Sequence, residues 1–298
     1  MNVFKICAAT LFVTVGLGSI DAALCQNDKT LQANKALVTS ALDAFFNKHD
    51  ASAVGKYVSS TYLQHNPYVQ DGPDQLKALV TSLKGSGSSY EIGAVAAEDD
   101  LVWTHNRSPA GNASVIVDVF RVKEGKLVEH WDITQAETPA SQTASGNPMF
   151  PIVPTMPVRA KGCTSSETPC QLKEDLEANK ALAAAALDAF FNQKDPSAVD
   201  KYTSEPYLNH NPFARNGGEP LKGLISGLAP EITFEMGAQV AENDLVWTNG
   251  RYDYGNGVVF IVVDVFRVKD GKLVEHWDIS QMEVADTASG RPMFPIVK

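Results

Sequence analysis
Cysteine is scarce in this chain: four in 298 residues, at Cys7, Cys25, Cys163 and Cys170. None stands near a histidine-bearing segment, so no catalytic site is built on a thiol. Positive charge is also short. The 25 lysines and arginines against 35 aspartates and glutamates give a formal net charge of -10 and a pI near 5.1. No basic cluster interleaved with aromatics occurs, so there is no surface to release phosphate counterions, which argues against nucleic acid as a partner. Beyond the first two dozen residues no apolar run approaches the ~18 residues of a membrane helix. What remains, 44% hydrophobic and 20% charged, is the composition of a soluble globular protein with room for two ordinary domains.

The N-terminal stretch reads as a separate unit. Lys5 gives a short positive start, Ile6 to Val15 an apolar segment, and Gly16, Gly18, Ser19, Ala22 and Ala23 a small-residue exit. Residues 1–23 are thus expected to be a secretory signal peptide, and the mature protein to be secreted, extracellular and free of the membrane. In an oxidising compartment Cys163 and Cys170 are placed to bridge, leaving Cys25 odd. Cys25 and Cys170 stand at the same distance before Ala33-Asn34-Lys35 and Ala178-Asn179-Lys180, so a Cys25 to Cys163 bridge stays open. Two glycosylation sequons begin at Asn106 and Asn112; the first is followed by Pro109, and Asn106 is read as lying on a strand edge.

The chain repeats itself. Ala33 to Tyr57 returns at Ala178 to Tyr202, an offset of 145, and Tyr62 to Pro67, Leu101 to Thr104 and Val117 to Gln135 return as Tyr207 to Pro212, Leu245 to Thr248 and Val263 to Gln281. Two copies of one domain, 29–153 and 171–298, are joined by a linker at 154–170. In each, Val38, Ala41, Leu42, Phe45 and Phe46, or Ala183, Ala186, Leu187, Phe190 and Phe191, recur at helical spacing. Asp50 and Asp195 cap a short second helix, and a third runs from about Asp74 to Leu83. Then the period changes to two: Tyr90 to Ala97, Leu101 to Arg107, Ser114 to Val122 and Lys126 to Gln135 read as an antiparallel meander. The fold class is α+β, a curved sheet packed on N-terminal helices. Val115 to Val119 and Val258 to Val263 are apolar on both faces apart from the aspartates, so the two repeats are expected to pack sheet against sheet as an intramolecular pseudo-dimer.

Alternation puts His130, Asp132 and Thr134 on one face of the last strand, with Asp118 and Phe120 on one face of its neighbour. Trp103, His105 and Arg107 share a face of the strand beyond and are expected in a concave pocket. Asp118 among apolar neighbours is either desolvated or bridged to Arg107 or Arg121. An imidazole beside a carboxylate is a candidate acid/base pair. His65, His105 and His130 lie on separate elements without ligand spacing, so no metal and no cofactor are expected.

The segments from Tyr62 (YLQHNPYVQDG), Asp100 (DLVWTHNR), Val117 (VDVFRVKEGKLVEHWDITQ) and Asn147 (NPMF) resemble a SnoaL-like domain of the NTF2-like, cone-shaped α+β superfamily, over nearly all of both repeats. They are most similar to SnoaL-like aldol-condensation enzymes. The resemblance to ketosteroid isomerase, a distant relative, implies that Asp118 and Asp264 take its oxyanion-hole place and that its base position falls on Asn66 and Asn211, which cannot take a proton; His65 and His210 are the available substitutes. No tyrosine stands on the first-helix stripe, where Phe45 and Phe46 sit. Polyketide cyclases imply an acid/base role for Asp132 and Asp278, with His130 and His276 beside them. Tyr62, Asn66, Trp103, His105, Arg107 and Phe120, with Tyr207, Asn211, Trp247, Asn249, Arg251 and Phe266, are the expected substrate contacts. Two readings follow: a cofactor-independent lyase or isomerase acting on a small apolar carbonyl compound, or a secreted binding protein using the same pocket without turnover. A vestigial pocket in a structural protein is a third. His65 or His130 within ~3.2 Å of Asp118 or Asp132 around one cavity would favour catalysis, and a hollow filled by aromatic side chains would count against it.

Overall fold
The computed structural model describes residues 17–153 and 169–297, with side chains from 29 and 175 onward in the two stretches. Most of the signal segment, most of the linker and the side chains of the proposed cysteine bridges lie outside the described residues. Among the described residues no helix is long and apolar enough to cross a membrane.

Repeat 1 opens with α1 (Leu17–Leu42), which continues through one π turn at Asp43–Asn47. The expected stripe is its buried face: Val38, Ala41, Leu42 and Phe45 are at most 1% exposed. The Asp50 side chain accepts from the Ser52 amide at 3.0 Å, capping the short turn before α2 (Val54–Tyr57). Next come β1 (Val58–Gln64), α3 (Pro73–Ser82), β2 (Glu91–Glu98), β3 (Leu101–Ser108), β4 (Ser114–Lys123) and β5 (Lys126–Ala136). The β4–β5 turn places both Glu124 (φ 51°) and Gly125 (φ 70°) at positive φ, as a two-residue hairpin with right-handed strand twist requires.

The sheet order is β1-β5-β4-β3-β2. The fifth strand was not expected: β1 lies parallel to β5, with Gln64 beside His130. The sheet is therefore mixed, and the Tyr62 to Pro67 segment is half strand. Repeat 2 copies this with α4 (Pro169–Leu187), α5 (Ala198–Tyr202), β6 (Thr203–Asn209), α6 (Gly218–Ser226), β7 (Thr233–Glu242), β8 (Leu245–Asp253), β9 (Val259–Lys269) and β10 (Lys272–Met282). Asn106 is fully buried on β3, which has a neighbour on each side, so it is no edge residue; Asn112 is exposed.

The two sheets pack face to face. Trp103, Val117, Val119, Trp131 and Ile133 form one buried cluster with Trp247, Val263, Val265, Trp277 and Ile279. Burying a side chain of this size is worth about 1.5–3 kcal/mol, so this shared core ties the repeats firmly. Reciprocal hydrogen bonds show the pseudo-twofold: Ala144 N to Pro212 O and Ala288 N to Pro67 O, both 2.8 Å, and Thr134 N to Gln281 Oε1 and Ser280 N to Gln135 Oε1, 2.8 and 2.9 Å.

Candidate functional site
The inner face of each sheet, under the helices, carries the polar residues in register. In repeat 1 one row across the strands is Val95, Thr104, Asp118 and Asp132, and the next is Ala97, Val102, Phe120, His130 and Gln64. Asp118 and Asp132 therefore stand opposite each other, with the imidazole one row along, stacked on Phe120 at 4.5 Å. His130 Nε2 donates to Asp118 Oδ1 at 2.9 Å. The expected pairing was with Asp132; the cross-strand aspartate takes the imidazole instead.

The proton count follows from the partners. His130 Nδ1 lies 2.8 Å from Gln64 Oε1, and that oxygen also accepts the Asn66 amide at 2.9 Å, which fixes the orientation of the Gln64 amide. Both ring nitrogens thus face acceptors and both must donate, so His130 is an imidazolium. Burial alone would lower its pKa, but the Asp118 hydrogen bond and the charges of Asp132 and Asp118 outweigh it and raise the value above 6.5. Asp118 gathers further donors: Tyr90 Oη and Asn106 Nδ2, each at 2.7 Å, both bond its Oδ2. Arg107 and Arg121 leave it alone, bonding Glu137 and Glu129.

Asp132 is the exception in this network. Asn66 Nδ2 donates to its Oδ2 at 2.7 Å, but its enclosed Oδ1 has no hydrogen-bond partner among the described residues. Desolvation raises its pKa; His130 opposes this and the like charge of Asp118 adds to it. Repeat 2 repeats the arrangement: His276 Nε2 to Asp264 Oδ1 at 3.0 Å, Asn211 Nδ2 to Asp278 Oδ2 at 2.6 Å, and Asp278 Oδ1 unpartnered. The donor atoms of Asp118, His130 and Asp132 lie within 4.8 Å of one another, close enough for a metal ion. A metal here would have to displace the His130 proton that bonds Asp118, so its binding would compete with that hydrogen bond and weaken as pH falls.

Several expected site residues are elsewhere. His65 and His210 stack on Trp131 and Trp277, donate to Pro292 O and Pro148 O of the opposite repeat at 2.6 Å, and bond Glu129 and Glu275. They latch the repeats together instead of facing Asp118. Trp103, His105, Trp247 and Asn249 do share a face, but it is the one between the sheets, and Arg107 and Arg251 pair with Glu137 and Glu283. Because the second repeat covers that face, it is as dry as the inner one, and size and polarity did not tell the two apart. Asp118, Phe120, His130, Asp132, Tyr62 and Asn66, with Asp264, Phe266, His276, Asp278, Tyr207 and Asn211, remain on the inner side. Missed were Gln64, Tyr90, Asn106, Asn209 and Tyr252; Gln64 shares a strand face with Tyr62, a signal visible once β1 is recognised as a strand.

The expected hollow is largely packed by Leu42, Phe45, Tyr62 and Phe120. Two open depressions, about 510 and 430 Å³, lie away from the cluster, one beside Lys180 and Gln239 and one beside Tyr68 and Leu79.

The SnoaL-like domain profile matches residues 38–130 and 183–276, one segment in each repeat and more than half the chain together. Solved structures similar to it include TsrD from Streptomyces laurentii, 17% identical, covering 35% of this chain and 89% of that one, with a TM-score of 0.31. An LEH-like epoxide hydrolase from M. tuberculosis is 24% identical over 36% of this chain and 85% of its own, TM-score 0.32. An NTF2-like protein of unknown function from Mesorhizobium loti is 17% identical over 35% and 93%, TM-score 0.32. No curated protein matches the sequence. The chain belongs to the SnoaL-like domain family, as two α+β domains in tandem.

Proposed function
We propose that the protein is exported and that each repeat catalyses a cofactor-independent proton transfer on a small carbonyl compound, of the aldol-lyase or isomerase type, with Asp132 and Asp278 as general bases. One observation supports this most: in both repeats a carboxylate oxygen is enclosed without a partner among the described residues, beside a fixed imidazolium. Leaving such an oxygen unpaired costs stability, and perturbed carboxylates of this kind cluster at functional sites. Asp132 removes a proton α to the carbonyl, and the electron pair moves onto the carbonyl oxygen. The Tyr62 phenol keeps its proton, because burial and then the charges of Asp118 and Asp132 push its pKa well up, so it can donate to that oxyanion. Asn66 aims Asp132, and His130 offsets the charge that develops. Protonated Asp132 then returns its proton to carbon, at a new position in an isomerisation.

Asn66 and Asn211, which stand at the expected base position and cannot take a proton, favour a second reading, a carrier without turnover. Incubating the protein with small ketones and aldehydes in D2O separates the two. Loss of α-proton NMR signals that falls roughly a hundredfold or more in Asp132→Asn/Asp278→Asn supports the base. Binding without exchange supports the carrier.

A further inference from the structure
The phenol that bonds the paired aspartate comes from a different position in each repeat. In repeat 1 it is Tyr90, just ahead of β2, whose backbone is clasped by the Asn47 side chain through bonds of 2.7 and 3.1 Å. Asn192 clasps Phe234 in the same way, at 2.9 and 3.1 Å. Phe234 therefore holds the place of Tyr90 and has no hydroxyl to give. Yet Asp264 Oδ2 receives a phenol at 2.7 Å, as Asp118 Oδ2 does. The donor is Tyr252 on β8, which by register stands where repeat 1 has Ser108.

The relocation involves a third position. Asn106 corresponds by register to Gly250, and a Cβ at Gly250 would stand 2.6 Å from Phe234 Cε2 and 3.1 Å from Tyr252 Cε2. The glycine makes room for the two rings that replace Tyr90 and the Asn106 amide. Three differences between the repeats, at Tyr90/Phe234, Asn106/Gly250 and Ser108/Tyr252, thus end in one unchanged hydrogen bond.

We infer that the phenol-to-aspartate hydrogen bond is a required positioning contact of the site, made by Tyr90 in repeat 1 and by Tyr252 in repeat 2. By occupying Oδ2 the phenol turns Oδ1 toward the imidazole and shares the carboxylate charge that would otherwise fall on it alone. The inference rests on the proton-transfer reading for what the site does, but its test reads protons on histidine and not turnover, so either can fail without the other.

Titration of His130 and His276 by nitrogen-15 NMR in the full chain provides the test. The charged and titratable groups facing His130 are Asp118 on β4, Asp132 on its own strand, Tyr62 on β1 and Tyr90 ahead of β2; Asp264, Asp278, Tyr207 and Tyr252 are their counterparts around His276. Tyr90→Phe shifts the His130 midpoint to higher pH, because less of the Asp118 charge is shared elsewhere. Tyr252→Phe shifts His276 further, since Gly250 supplies no amide in place of Asn106. Tyr90→Phe/Asn106→Gly raises the His130 midpoint further, and adding Ser108→Tyr, which rebuilds the repeat 2 arrangement in repeat 1, brings it back down to the midpoint of His276. Unmoved midpoints in folded single variants, or a folded triple variant that keeps the midpoint of the double, would overturn the inference. Should Tyr90→Phe prove unfolded by circular dichroism, the Tyr252→Phe comparison decides.

Discussion

Gln64 Oε1 lies 2.8 Å from His130 Nδ1, and this neutral amide, brought by the one parallel strand, completes the hydrogen bonding of a buried cation. Gln64→Leu removes the acceptor and also frees the Asn66 amide. An unsatisfied buried donor on a charged group costs about 2 kcal/mol, so urea denaturation at pH 6 is expected to show a loss of that order. The sign with pH is fixed as well. The folded value of His130 is raised above 6.5, so its contribution is complete below that pH and is lost as pH rises through the raised value. In Gln64→Leu the loss begins at lower pH; an unchanged stability profile would mean that the amide does not hold the cation.

Asp132 has the opposite relation to stability. Its folded value is raised above 3.8, so the unfolded chain sheds this proton first, and the native state loses stability as pH climbs from 3.8 through the folded value. Asn at this position carries no charge to desolvate. Asp132→Asn is expected to be more stable than the parent at pH 7, by about 1 kcal/mol, the usual exchange of stability for function, while α-proton exchange in repeat 1 is lost. A less stable variant at pH 7 would show the carboxylate to be there for structure.

The duplication and the meander were legible because repeats and a period of two are written directly in the residues: His130, Asp132 and Asp118 could be placed on common faces without coordinates. Which face looked inward was not legible. Val117 and Val119 are as buried as Ile116 and Phe120, so hydrophobicity does not separate a face covered by helices from one covered by a second sheet, and Trp103 and His105 were assigned to the wrong side. β1 was hidden because Ser59, Ser60 and Thr61 interrupt its apolar pattern and its partner strand lies far along the chain. Tyr90 and Gln64 reach the cluster only through that long-range pairing and the Asn47 clasp.

His105 sits between the sheets, stacked on Phe150 at 5.3 Å, and neither ring nitrogen has a hydrogen-bond partner among the described residues. Burial, with the nearby His210 adding to it, pushes its pKa down to about 3 from 6.5. Below pH 6.5 the unfolded chain takes up a proton that the folded chain refuses, so stability falls as pH falls toward 3, by about 1.4 kcal/mol per pH unit at the steepest. His105→Asn, which installs the residue of repeat 2, should remove that slope. Between about pH 4 and 6.5 the parent's urea midpoint is expected to fall relative to the variant's as the pH drops; parallel curves would count against the neutral buried imidazole.

Gly93 and Gly237 are needed for close approach, since the tails of the repeats lie against them. A Cβ at 93 would stand 2.6 Å from Phe150 Cε2 and 3.0 Å from Pro151 Cβ, both at the edge of a tail that can shift. At 237 it would meet Asn249 Oδ1 at 2.6 Å, Phe294 Cε2 at 2.8 Å and the Asn249 backbone oxygen at 3.1 Å, and that last atom belongs to a central strand. Overpacking of this kind costs about 1–3 kcal/mol, and the less the neighbour can yield, the nearer the upper figure. Gly237→Ala is therefore expected to destabilise more than Gly93→Ala in chemical denaturation. Each should also speed hydrogen exchange at the amide its tail docks on the other repeat, Ala144 for Gly93→Ala and Ala288 for Gly237→Ala, because the tail that carries the displaced ring also carries that bond. Equal costs, or protection unchanged at both amides, would show that the tails are held independently of the glycine surfaces beneath them.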